Sequence, residues 1–208
     1  MVENVTFRMS DYESAILKIL KEIFVKADHH CCWFHYCKAL RVKWKELGMH
    51  KAPYKILRLL MTLPLAPAHC FMSGLNFIKE IASEYENKYP QLKNFFRYYD
   101  RQWLPKKYEV CVFGCPSRTN NLVEAFHSQL TKRLGGIHPN VWTFFECLVN
   151  LITCHYQDYL HLKNGKSTSH PVKEKDRKRD KKISDAQKRF LNQEISLKVF
   201  LEECGSVN

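Results

Sequence analysis

Apolar residues at Val5, Phe7 and Met9 alternate with polar neighbours, a period-two pattern that predicts a short strand ending at Ser10. Ala15, Ile16, Ile19, Leu20, Ile23 and Phe24 then recur at helical spacing and predict a helix over 12–25, with Ser10-x-x-Glu13 in front as a capping box. The compact aromatic and Cys-rich segment 29–34 reads as a short buried strand or as the start of the next helix, which runs over 35–47 and stops at Gly48. Three more helices are predicted over 55–62, 68–85 and 91–103, punctuated by Pro64, Pro67, Pro90 and Pro105. Residues 106–118 are irregular or briefly extended. Helical patterns return over 120–134 and 140–162, and an amphipathic stretch over 185–203 carries Phe190, Leu191, Leu197, Phe200 and Leu201.

A chain of 208 residues is long enough for one sizeable core, or for a core and an appendage. No apolar run reaches the length of a bilayer span, and the first residues lack the apolar stretch of a secretory signal, so a membrane partner and secretion are not expected. Nine cysteines, an odd number without a signal, read as reduced thiols rather than a disulfide framework. The formal charge of +12 points to a polyanionic partner. Residues 163–189 hold eleven basic and four acidic residues, so a net +7 of that excess sits on one short segment. Within it, Lys173, Lys175, Arg177, Lys178, Arg179, Lys181 and Lys182 read as a phosphate-binding arm, a nuclear-import signal or a plain solvated charge run. A second stretch, 95–103, interleaves aromatics with arginines and suits base stacking. Its Phe95, Tyr99 and Trp103 are also spaced by four on one face, which reads as core packing.

Three short motifs carry candidate chemistry. Asp11 stands where the first strand ends, in Asp11-Tyr-Glu-Ser-Ala; Cys32-x-x-His35 follows the first helix; and Glu124 lies in Arg118-Thr-Asn-Asn-Leu-Val-Glu-Ala-Phe-His127. At 100° per residue, Leu122, Phe126, Leu130 and Leu134 form an apolar arc, with Asn120, Glu124, His127 and Thr131 on the adjoining face. On residue type alone, Asp11 and Glu124 are equally helix-start acids placed by the helix dipole. One Cys/His pair is half of a four-ligand zinc site, which Cys111-x-x-x-Cys115, His29, His30, Cys37 or Cys154-His155 would have to complete; the alternative is packing with a hydrogen-bonded His.

In this order and context the motifs resemble the later part of the catalytic domain of Mutator-like element (MULE) transposases, DDE enzymes whose RNase H-like core holds two metal ions on three carboxylates. The resemblance implies that Asp11 is the second carboxylate and Glu124 the third, both catalytic and both ligands of Mg²⁺ or Mn²⁺. It also implies that Cys32 and His35 match the family's Cys-x-x-His and are possible zinc ligands. DNA is the implied partner, gripped by Arg118 and the basic run, and the nucleus the implied compartment, otherwise the cytoplasm. Only ten residues precede Asp11, which leaves no room for the strands that carry the family's first carboxylate. The expected fold class is therefore α/β and predominantly helical: an incomplete RNase H-like core of two or three short strands over 1–163, with an all-helical insertion at about 36–105. A basic linker over 164–183 and a C-terminal helical segment over 184–208 follow. A truncated sheet exposes a pairing edge, to be covered by a second copy or by a partner supplying the missing core. The expectation is a transposase-derived chain without strand-cleaving activity of its own. Alternatives are a non-enzymatic nucleic-acid-binding or regulatory protein and a zinc-stabilised helical interaction module.

Overall fold

A computed structural model describes residues 5–135, 138–166 and 173–206. These divide into two units, the first formed by residues up to Asn120 together with those from Arg177 onward, and the second by Asn121–Asp176.

The first unit opens on β1 (Phe7–Ser10), α1 (Ser14–Ile23) and β2 (Asp28–Cys31). The two strands are parallel, with Ser10 opposite Cys31. The predicted capping box does not form: Glu13 occupies the N-cap of α1 without a side-chain bond, and the Ser10 hydroxyl donates to the Asp11 carbonyl instead. Segment 29–34 resolves into both of its alternatives, because β2 ends at Cys31 and α2 (Trp33–Glu46) begins two residues later. Gly48, at φ 68°, supplies the left-handed turn that stops α2.

The core of this unit is helical. α3 (Tyr54–Thr62) buries Ile56, Leu57, Leu59, Leu60, Met61 and Thr62, so it is apolar nearly all round and sits in the middle. Around it pack α2, α4 (Phe71–Ser83), α5 (Gln91–Gln102) and α10 (Leu197–Gly205). Gly74 in α4 permits the closest approach, since a Cβ there would lie 2.6 Å from Leu63 Cδ1. Three aromatic side chains of this core have their polar atoms paired: Tyr36 donates to the Leu60 carbonyl at 2.7 Å and shares a 2.9 Å hydrogen bond with Tyr99, and the Trp33 indole donates to the Met61 carbonyl at 2.7 Å. Phe95, Tyr99 and Trp103 are buried, as their four-residue spacing requires. Residues 106–118 contain one short helix, α6 (Lys107–Val110), laid beside β2.

The charge run is ordered. α9 (Glu174–Leu191) is one helix whose Ile183 and Ala186 are buried, while Gln187 donates to the Leu65 carbonyl at 2.9 Å. Residues 174–183 of the expected linker are therefore helical, and the helix docks on the first unit through Ile183, Ala186 and Gln187; residues 167–172 of that linker lie outside the described residues. The amphipathic stretch over 185–203 is two helices. Gln193 takes φ 60° after α9, and Ser196 caps α10 by accepting from the Val199 amide.

The second unit pairs α7 (Asn121–Arg133) with α8 (Val141–Lys163), the latter capped by Asn140 accepting from the Thr143 amide at 2.9 Å. α8 leaves Trp142, Phe145, Val149, Ile152, Tyr156 and Tyr159 exposed, at alternating spacings of three and four. The architecture is thus predominantly helical with two short parallel strands among the described residues. No described helix is long and apolar enough to cross a membrane.

Candidate functional site at the carboxyl end of the strand pair

The pairing of β1 with β2 builds the site. The Cys32 amide donates to the Ser10 carbonyl at 2.9 Å, so the two chains leave the sheet side by side and deliver Asp11 and Cys32 to the same end. Cys32 is the N-cap of α2, and His35 returns to that end one turn later. One ligand atom from each of Asp11, Cys32 and His35 then lies within 4.8 Å of the others. Within it, His35 Nδ1 and Asp11 Oδ1 are 3.1 Å apart. Cys32 is fully buried, whereas the Asp11 side chain is 43% exposed, so the group opens to solvent on its carboxylate side.

A third segment closes the cluster from behind. Trp33 donates its amide to the Arg118 carbonyl at 2.9 Å, which brings 118–120 alongside the start of α2. Asn120 Nδ2 then donates to Asp11 Oδ1 at 2.6 Å. The sequence places Asn120 on one helix face with Glu124 and His127; instead α7 starts one residue later and the Asn120 amide belongs to Asp11. This partnership is the residue role that sequence reasoning missed, and its only trace is that Asn120 lies within the Arg-Thr-Asn-Asn motif.

Among the described residues of the first unit, His29, His30, Cys37, Cys111 and Cys115 do not join the cluster, and Cys154 and His155 belong to the second unit. His30 donates through Nδ1 to the Cys111 carbonyl at 2.6 Å, Cys111 reaches the Ala66 carbonyl at 3.4 Å, and Cys37 faces the Met61 carbonyl at 3.9 Å. His29 lies 3.4 Å from the Ser10 hydroxyl and 3.8 Å from the Cys31 sulfur, with its pKa lowered by desolvation first and by Arg8 second. Burial pushes the thiols of Cys31, Cys37 and Cys115 up to about 12, and that of Cys111 upward, which suits neutral packed side chains. The Tyr12 phenol, next to Asp11, is driven well above its ordinary value chiefly by burial and then by Cys31 and Cys32.

Glu124 lies in the second unit, exposed in the first turn of α7, where the helix dipole favours an acid. His127 follows one turn on, its carbonyl accepting from Thr131 at 2.9 Å.

The basic residues sort by burial. Lys173, Lys175, Arg177, Lys178, Lys181 and Lys182 are exposed, on or just before α9, whereas Ile183 and Ala186 of the same helix are buried. Arg179 is half-buried, with Nε 3.5 Å from Asp180. Arg118 is ion-paired with the same Asp180, which ties the segment behind the cluster to α9. In the 95–103 stretch, Arg97 and Arg101 line an open groove of about 430 Å³ with Lys43, Asn94, Tyr98 and Gln102. The aromatic and basic halves of that stretch therefore do different work: the rings fill the core while the arginines face solvent.

Compared with protein-family models, with characterised proteins and with solved structures, the chain has no match.

The donor set decides which metal the cluster suits. Mg²⁺ demands hard oxygen ligands in near-octahedral geometry, whereas Asp11 stands beside a thiol and an imidazole. Asp11 is the one carboxylate of this cluster, so its three donors by themselves suit a softer ion than Mg²⁺.

Proposed function

We propose that this chain is a DNA-binding protein derived from the later part of a MULE transposase core, and that it does not cleave DNA by itself. The observation that carries this reading is the β1–α1–β2 unit with Asp11 at its carboxyl end. Asp11 sits at a strand end, as the resemblance requires of the second carboxylate, and the Cys-x-x-His pair folds back onto it. Two further features support an incomplete core. Thr6 and Ser10 turn their carbonyls toward β2, so the backbone groups of Phe7 and Met9 point to the other edge, and no backbone hydrogen bond reaches them among the described residues. α1 has an amphipathic pattern yet leaves Ile16, Ile19 and Ile23 exposed. Apolar surface of this kind, together with the exposed stripe of α8, marks faces that a partner covers, whether a second copy or a chain supplying the rest of the sheet. The exposed lysines and arginines of α9 supply the phosphate-binding surface, whereas Arg118 is engaged by Asp180.

A salt titration of duplex binding tests this. Affinity for a mixed-sequence duplex falls steeply as salt rises, because released counterions drive binding. Asp11→Asn and Glu124→Gln leave that affinity within about twofold, since acids do not grip phosphates. Binding that ignores salt, or none at low salt, contradicts the proposal.

A further inference from the structure

We infer that Asp11, Cys32 and His35 form a zinc site with three protein ligands and a water-filled fourth position, and that Asn120 orients its open side. This inference concerns the same cluster as the proposed function but does not rest on the transposase ancestry.

Carboxylate oxygen, thiolate sulfur and imidazole nitrogen are the three donor types of zinc, and ligand atoms around a tetrahedral zinc sit roughly 3.5 Å apart. Here all three atoms lie within 4.8 Å of one another, and the oxygen and nitrogen are already 3.1 Å apart. Only small side-chain shifts separate this arrangement from a coordination shell. The scaffold holds them from independent directions: the strand pair fixes Asp11 against Cys32, and one turn of α2 fixes His35 relative to Cys32. Cys32 also occupies the amino end of α2, where the helix dipole favours an anionic ligand.

Asn120 is the second observation. Its Nδ2 holds Asp11 Oδ1 at 2.6 Å, the outer-shell hydrogen bond typical of a ligating carboxylate. Its Oδ1 is buried and has no hydrogen-bond partner among the described residues. A buried amide oxygen without a donor is costly, and a metal-bound water beside Asp11 supplies one. A plain Asp11–His35 hydrogen bond explains neither that oxygen nor the sulfur drawn to the same point.

The test is titration of the metal-free full chain with cobalt(II), a spectroscopic stand-in for zinc. Expected are uptake of one equivalent, a sulfur-to-cobalt charge-transfer band, displacement by zinc and indifference to a large excess of Mg²⁺. Cys32→Ser abolishes the band. Asp11→Asn, at a half-exposed position that tolerates the change, keeps the band but weakens uptake more than tenfold, and Asn120→Ala weakens it about tenfold. A band that survives Cys32→Ser places the metal on other cysteines and overturns the inference. So does cobalt that Mg²⁺ displaces, or affinity unchanged in Asp11→Asn. Loss of DNA binding in any variant leaves these readouts unaffected, so the metal site and the proposed function fail separately.

Discussion

Replacing Lys173, Lys175, Lys181 and Lys182 together by glutamine lowers duplex affinity about 100-fold at roughly 0.1 M salt and reduces the slope of log affinity against log salt by about three to four. All four side chains are exposed, on or just before α9. Glutamine keeps the helix and removes only charge. Ile183, Ala186 and Gln187, which dock α9, are untouched, so the fold of the first unit stays intact. Fluorescence anisotropy over a salt series gives both numbers. An unchanged slope moves the phosphate contacts elsewhere, with the groove lined by Lys43, Arg97 and Arg101 as the first alternative.

Ile183→Ala costs about 3 kcal/mol of stability, within the usual range of about 2 to 5 for truncating a fully buried isoleucine. Ile183 is 0% exposed, yet its neighbours along the chain are the most basic in the protein. A mobile charge run would lose nothing on this substitution, and a docked helix loses a packed side chain. Ser184→Ala, one position away on the exposed face, changes stability by no more than about 0.5 kcal/mol. Urea denaturation of the two variants separates these cases by midpoint, with the slope unchanged. Equal midpoints would mean that α9 is not docked in solution. The docking matters for binding because a fixed helix presents its lysines in one array, anchored further by Arg118 on Asp180 and by Arg189 on Glu203 at 2.9 Å.

Much of the helical block is legible in the sequence because its periodicity is strong and its stops are chemical. Gly48 ends α2, the prolines separate α3, α4 and α5, and the four-residue spacing of Phe95, Tyr99 and Trp103 gives their burial directly. Short-range chemistry is harder to read. Ser10 and Glu13 match a capping box, but Ser10 is the last residue of β1, and strand pairing with β2 sets its backbone before the helix can use it. The charge run was ambiguous because composition reports solvation of the exposed face and hides two apolar residues, Ile183 and Ala186, that are enough to dock the helix. In the site, the sequence spacing brings Cys32 and His35 onto one turn of α2, whereas the link between Asp11 and Asn120 spans most of the first unit and depends on the Trp33–Arg118 backbone bond. Such long-range pairings leave no local pattern. That Asp11, which the sequence offers only as a carboxylate for Mg²⁺, stands beside Cys32 while Cys111 and Cys115 do not is likewise tertiary: those two are held by other contacts and by burial.

The account's central claim, that the chain holds DNA without cutting it, is tested most directly by incubating the full 208-residue protein with a labelled duplex in Mg²⁺ or Mn²⁺ and resolving bound and cleaved species in parallel. The expected result is salt-sensitive retention of uncut duplex, the same with either metal and unaltered by Asp11→Ala. Metal-dependent strand cleavage by the wild-type chain, abolished by Asp11→Ala or Glu124→Ala, would contradict it.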